Sequence, residues 1–360
     1  MKRYRVGVLG LTHDHVWGNL DRLVGLPNAE LVGGAEPDSS LRDGLCQRYG
    51  VSDVAPDYQQ FLDSHDLDVA FVFASNRKSA ELAAECASRG LHVMLEKPMA
   101  SDLALADRML AAANRAGVKL MVNWPHNWNP KIRKAYQLVR EGAVGEVFKL
   151  RYSGGHAGPR EIGCSPIFCD WLYDSAQNGV GALTDQGGYA ATICRWFLGR
   201  PARVLAMGGR LTKTDIADLD NVVMLLRYDR AIAIAEATWS WVGGYPTTGP
   251  IVYGTEGSLI AHSAREQQDV TLVTRASQEI REVKAEPLPE GERHAPEYFL
   301  KCIEEDRPVE GLVSPAVCRD AQEILEAAIE SIRTGREVPL PLDRALPGVG
   351  GSDSSRRLTR

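Results

Sequence analysis

The residue with the clearest chemical potential in this 360-residue sequence is Lys97, set in the tripeptide Glu96-Lys97-Pro98 directly after an apolar run at 91–95. A lysine at the carboxyl end of a strand in an open α/β sheet points into the crevice where such sheets bind ligands. Pro98 stops the strand, and Ser101 is expected to N-cap an alanine-rich helix over about 102–116, which holds Lys97 at the crevice mouth. A second cluster, His13-Asp14-His15, follows the first apolar run. Two histidines separated by one residue on such a turn have the donor chemistry for a metal ion. The expected arrangement has no metal site: Asp14 or Thr12 caps the next helix, and the histidines line the crevice.

Those positions need a scaffold, and the first third of the chain supplies one. Short, continuously apolar runs at 5–9, 31–35, 69–74, 91–95 and 119–122 alternate with helical segments. Such runs indicate strands covered by helices on each side, hence a parallel sheet. Gly50, Gly90 and Gly117 each follow a helical segment where a left-handed C-cap is wanted. The expected fold over 1–124 is an α/β, Rossmann-type doubly wound parallel sheet. The acid after the second run, Glu36 in Ala35-Glu36-Pro37-Asp38, is then placed to accept hydrogen bonds from both hydroxyls of an adenosine ribose. It would also repel a 2′-phosphate, which favours NAD over NADP. Asp38 competes for that role.

From 125 to 346 the periodicity changes. A helix at 130–141 leads to a strand at 146–152, a polar stretch at 153–181, a helix over 184–198, and strands at 203–212, 221–228, 231–241, 258–261 and 270–274. Consecutive strands with short turns make a mostly antiparallel open sheet. This half therefore reads as an α+β substrate-binding and oligomerisation domain, closed by helices at 296–305 and 315–334. Residues 347–360 are expected to form a disordered tail.

With these stretches in view, the sequence resembles the Gfo/Idh/MocA family of sugar and polyol oxidoreductases. The likeness spans about 4–345 and rests on three segments: Val6-Gly7-Val8-Leu9-Gly10, the run from Arg89 to Pro98, and Gly179-Val180-Gly181-Ala182-Leu183-Thr184-Asp185-Gln186-Gly187-Gly188-Tyr189. It implies an NAD-dependent enzyme that moves a hydride between a secondary hydroxyl carbon and nicotinamide, with Lys97, Asp185 and Tyr189 catalytic. It further implies cofactor contacts from Gly10, Leu11, Thr12, His13, His15, Glu36, Ser75, Asn76, Glu96, Lys97 and Asn127. In this reading Tyr189 takes the hydroxyl proton, Lys97 favours its phenolate, and Asp185 binds the substrate hydroxyl or fixes Lys97. Gly187 and Gly188 leave room for the nicotinamide face. Tyr189 also fits a buried helix face with Ile193, Trp196 and Phe197, and Asp185 an ordinary helix N-terminal carboxylate.

The sequence departs from the family pattern in two places. The G-x-G-x-x-G segment reads Gly10-Leu11-Thr12-His13-Asp14-His15, and the bulk of Thr12 and His15 is expected to push cofactor or helix outward. Asn127 stands where an R-x-x-P arginine is usual. His156, Arg160 and Trp171 are expected on the substrate side, Trp171 stacking on a sugar face. Glycoside cleavage through transient oxidation, and non-enzymatic sensing of a sugar or dinucleotide, are the alternatives that the same resemblance carries.

Bulk properties narrow the field. A net charge of -6 and a pI near 5.8 give no electrostatic footprint for nucleic acid, and no apolar stretch suits a membrane span or a signal peptide. The seven cysteines are scattered without a C-x-x-C pair, which predicts neither disulfides nor zinc and fits the cytoplasm. Residues 221–226 are apolar on both sides, and Ala237, Trp239 and Trp241 share one strand face. A homodimer or homotetramer through the C-terminal sheet is therefore expected.

Overall fold

The computed structural model describes residues 2–243, 249–262 and 268–343; the expected tail at 347–360 lies outside the described residues. The chain first builds β1 (Tyr4–Leu9), α1 (His15–Val24), β2 (Ala29–Ala35), α2 (Ser39–Tyr49), β3 (Asp53–Ala55), α3 (Tyr58–Ser64), β4 (Val69–Val72), α4 (Asn76–Ser88), β5 (His92–Glu96), α5 (Leu103–Ala116) and β6 (Leu120–Asn123). All six strands run parallel, in the order β3-β2-β1-β4-β5-β6. Val6, Val8, Val69, Phe71, Val93 and Leu95 are fully buried, as strands sandwiched between helices must be. The order reverses between β1 and β4, and the crevice opens at the carboxyl ends there.

Glycines permit two close approaches in this sheet. A Cβ on Gly33 would lie 1.9 Å from the Asp53 carbonyl oxygen, so the short β3 docks only because that side chain is absent. Gly50 and Gly117 end α2 and α5 at φ 68° and 67°, the left-handed caps that the sequence asks for. The start of α5 differs from expectation. Asp102, not Ser101, is the N-cap, its carboxylate accepting from the Leu105 N–H. A carboxylate at the positive end of a helix dipole is the better acceptor there.

After a short 3-10 turn at Pro125–Trp128 follow α6 (Pro130–Arg140), β7 (Val147–Gly155), α7 (Pro166–Leu172), α8 (Ser175–Asn178), α9 (Gly181–Leu198), β8 (Arg203–Gly209), β9 (Asn221–Arg227), β10 (Ile232–Thr238), β11 (Ile251–Gly254), β12 (Gly257–Ala261), β13 (Val270–Thr274), β14 (Arg281–Val283), α10 (Ala295–Glu304), α11 (Pro315–Thr334) and β15 (Val338–Pro339). Nine strands form one sheet, ordered β14-β13-β12-β11-β7-β10-β9-β8-β15. Its pairs are antiparallel except β7 with β10, which is parallel. α9 and α11 pack on one face. Along β8 and β9 the pattern alternates: Ala206, Val222, Met224 and Leu226 are buried beneath those helices, whereas Leu205, Met207, Val223 and Leu225 are exposed on the opposite face. Ala237 and Trp239 are both buried, on the side of the sheet away from that open face, and Trp239 turns its indole inward to α9.

α9 is buried continuously from Gly181 to Cys194. A Cβ on Gly188 would meet the Trp124 ring at 2.7 Å, and one on Gly187 would meet Leu183 at 3.0 Å. These glycines serve helix packing and do not open the space expected of them. Among the described residues no helix is long and apolar enough to cross a membrane.

Candidate active site

The end of β5 and the first turns of α9 meet across the two sheets, and each contributes one charge. Lys97 Nζ donates to Asp185 Oδ1 at 2.6 Å, with both residues buried. The other carboxylate oxygen of Asp185 accepts from Trp239 Nε1 at 2.9 Å and from Gln186 Nε2 at 2.7 Å. His156 Nε2 lies 3.6 Å away. Since His156 Nδ1 accepts the Gly158 N–H, Nε2 is the nitrogen that carries the proton and faces the carboxylate.

Electrostatics keep this pair ionised. Burial opposes the Lys97 ammonium, but the adjacent Asp185 and Tyr189 outweigh it and hold the pKa above the ordinary lysine value. Burial likewise disfavours the Asp185 carboxylate, yet Lys97 and then His156 hold it well below the usual range. Tyr189 behaves otherwise. Its phenol is pushed up by burial, and the pull of Lys97 in the other direction does not reverse the shift. The expected phenolate is therefore not the resting form, and Tyr189 rests as a neutral phenol.

The Tyr189 ring is 5.1 Å from Lys97 Nζ, edge-on to Trp124 at 4.8 Å and tilted against His126 at 4.6 Å. Burial and Lys97 lower the His126 pKa to about 4, so a neutral imidazole shares a 2.8 Å hydrogen bond with the Tyr152 hydroxyl. His126, Tyr152 and Trp239 escape sequence reasoning as site residues. The only local signal is His126 at the domain crossover, because their relevance lies in partners far along the chain.

The turn after β1 forms the opposite wall. Gly10 takes φ 79°, and a Cβ there would strike Ala74 at 2.7 Å, which explains why this first glycine remains. The Leu11 N–H donates to Glu36 Oε2 at 2.8 Å, and the Asp38 N–H to Glu36 Oε1 at 3.1 Å. Glu36 is thus buried against its own backbone, and burial raises its pKa despite both hydrogen bonds. Asp38 is spent capping α2. His15 does not displace α1, whose Val16, Leu20 and Leu23 are fully buried; its ring turns instead to Glu96, with Nδ1 2.9 Å from Oε1.

The second half of the chain closes over this turn through α7. Trp171 Nε1 donates to the Thr12 carbonyl at 3.1 Å, and His13 packs edge-on to Phe168 at 4.7 Å. Asp14 occupies the N-cap position of α1 without a side-chain cap bond, because its carboxylate accepts from the Ser165 N–H at 2.8 Å and from the Ser165 hydroxyl. Ser75 donates to Gln177, and Asn76 to Asn178, tying α4 to α8.

Lys97, Asp185, Tyr189 and His156 come together as the sequence suggests, beside His13, His15 and Glu96. Three residues do not join them. Trp171 is buried against the turn after β1 and presents no face for a sugar. Arg160 pairs with Asp215 and lies over the Tyr173 ring at 4.3 Å. Asn127 accepts from the Leu312 N–H at 3.2 Å and lines a separate cavity of about 940 Å³ with Arg133 and Tyr298. Of what a dinucleotide needs, the crevice keeps an acid, Glu36, just past β2 and a charged pair, Glu96 and Lys97, at the carboxyl end of β5. The amides at the start of α1 are engaged within the chain, His13 N–H on the Phe73 carbonyl, His15 N–H on His13 Nδ1 and Val16 N–H on the His13 carbonyl.

The model of the oxidoreductase family with an NAD-binding Rossmann fold matches residues 5–124, and the GFO/IDH/MocA C-terminal domain model matches 132–260. D-apiose dehydrogenase of Paraburkholderia graminis is 28% identical over 271 residues, covering 72% of this chain and 68% of that protein. Among solved structures, aldose-aldose oxidoreductase from Caulobacter crescentus, complexed with glycerol, superposes with a TM-score of 0.79 at 23% identity over 94% of this chain and 100% of the other. Levoglucosan dehydrogenase in complex with NADH and levoglucosan gives a TM-score of 0.79 at 21% identity over 95% and 100%.

Proposed function

Because the chain belongs to the GFO/IDH/MocA family of NAD-binding oxidoreductases, we propose that it is a dehydrogenase of a sugar or polyol that works at the Lys97–Asp185 pair. The observation that carries this reading is the buried, ionised contact of 2.6 Å at the crevice end of β5, with Tyr189 and His156 on either side. NAD supplies the hydride acceptor at the nicotinamide ring when bound. Lys97 would donate a hydrogen bond to the substrate hydroxyl oxygen and stabilise the negative charge that develops there. Asp185 holds the ammonium in place and charged. Tyr189, a neutral phenol at rest, would accept the hydroxyl proton at its oxygen as its own proton passes to solvent, and His156, with its proton on Nε2, would stand beside Asp185 as a hydrogen-bond donor. Glu36 favours NAD over NADP: an ionised carboxylate keeps lone pairs for ribose hydroxyls beyond the two it gives to backbone N–H groups. The names of the relatives that act on D-apiose and levoglucosan support a carbohydrate hydroxyl as the reacting group.

A panel of pentoses, hexoses, anhydrosugars and inositols assayed with NAD tests the proposal. Net formation of NADH with at least one of them is the expected result. Turnover without net NADH would favour glycoside cleavage through transient oxidation, and binding without turnover would favour a sensor.

A further inference from the structure

We propose that His13, His15 and Glu96 form a binding site for a divalent first-row transition metal of the zinc or manganese kind. One nitrogen from each imidazole and one Glu96 oxygen all lie within 4.8 Å of one another. Bonds of about 2.0–2.2 Å to a shared ion would set such ligands roughly 3–3.5 Å apart, so small side-chain rotations complete the set. His15 Nδ1 and Glu96 Oε1, at 2.9 Å, already have almost that spacing.

Independent observations point the same way. Two imidazoles and one carboxylate suit zinc, manganese or iron and are too rich in nitrogen for calcium or magnesium. His13 is 1% exposed; its Nδ1 accepts the His15 N–H at 3.2 Å, while its buried Nε2 makes no hydrogen bond of ordinary geometry, although the ring also interacts with the Lys97 backbone. A buried polar nitrogen in that state is unfavourable until something ligates it.

The cluster is also supported from behind. Asn123 Nδ2 donates to Glu96 Oε2 at 2.8 Å, and Trp128 Nε1 donates to Asn123 Oδ1 at 2.8 Å. Asn19 Nδ2 donates to the His15 carbonyl at 2.9 Å. Outer hydrogen bonds of this kind orient metal ligands. Lys97, next in sequence to Glu96, gives its hydrogen bond to Asp185 and leaves the Glu96 charge for a cation. The His15 side chain is 41% exposed, so the coordination positions that the protein does not fill open to the crevice, where they can take oxygen ligands such as vicinal hydroxyls.

The site does not depend on the dehydrogenase reading, and its test measures metal, not turnover. The 360-residue chain, stripped with a chelator and dialysed, is titrated with Zn²⁺ against a chromophoric competitor and separately with Co²⁺ while the visible spectrum is recorded. One equivalent per chain and a cobalt ligand-field band are expected. His15→Ala should weaken zinc binding at least about tenfold and abolish the band. Glu96→Gln, which keeps side-chain size, should do the same, while His65→Ala, on a histidine bonded to the Phe61 carbonyl, should change neither. Thermal melting of each variant separates loss of ligand from loss of fold. Substoichiometric binding by the unmodified protein would overturn the assignment, as would zinc affinity and a cobalt band that persist in a folded His15→Ala and Glu96→Gln.

Discussion

Lys97 is charged in a place where charge is costly, and Asp185 is the reason it stays so. Removing one member of a buried pair leaves the other uncompensated. Lys97→Met should therefore lose turnover by at least about a thousandfold and also melt at lower temperature. Lys97→Met/Asp185→Asn should recover the melting temperature but not the activity. Recovery of both would reduce Glu96-Lys97-Pro98 to a structural turn. Tyr189→Phe should lower kcat at least about a hundredfold if the phenol relays the proton; an unchanged kcat would remove the phenol from the proton transfer. Glu36 sets cofactor choice in this account. The unmodified protein should bind NAD more tightly than NADP, and Glu36→Ala should narrow the ratio of the two dissociation constants. Equal constants in the unmodified protein would contradict the assignment.

At the next scale, α10 shows how an element is secured by charge. Glu297, in its first turn, accepts from the backbone N–H of Arg293 at 2.8 Å and from its guanidinium. Burial works against the carboxylate, but Arg293 brings its pKa down to about 2. A depressed folded-state pKa means stabilisation that is full above the ordinary carboxylate value and lost as pH falls toward 2. Glu297→Gln should accordingly cost about 1–2 kcal/mol near neutrality, and denaturant melts should show the difference shrinking between about pH 5 and pH 2. A gap that stays constant over that range would mean that packing, not charge, is what Glu297 supplies.

Elements of this kind differ in how far they can be read from sequence. The apolar runs that became β1, β2, β4, β5 and β6 are legible because burial on both faces leaves no polar alternation. β3, β14 and β15, each of two or three residues, are too short for any period to register. The helices α7 and α8 fall within a stretch that reads as polar loop, and their capping residues Ser165 and Asp174 are the only local sign of them. Lys97 was accessible from its place at a strand edge. The contact of Trp171 with Thr12, 159 residues apart, was not, because its cause lies in how the two halves close and not in the local pattern. The role of Trp239 was hidden for the same reason: strand alternation does not reveal that its indole serves Asp185.

For the whole molecule, the uncovered face of the nine-stranded sheet sets an expectation. Leu205, Met207, Val223, Leu225 and Ile232 are exposed there, and soluble monomers rarely leave such apolar patches uncovered. A closed homo-oligomer packed through this face is the expected state. Light scattering after gel filtration should give at least twice the 39.4 kDa chain mass at micromolar concentration, and a single-chain mass would show that the face is tolerated in water. Assembly through that face would leave the crevice, on the other side of α9, to each chain. The most direct test of the central claim is the reduced-nicotinamide absorbance of the purified protein mixed with NAD and a carbohydrate panel, run beside Lys97→Met. NADH formation by the unmodified protein and its loss in the variant is the predicted result; no NADH with any carbohydrate, or equal rates in both proteins, would contradict it.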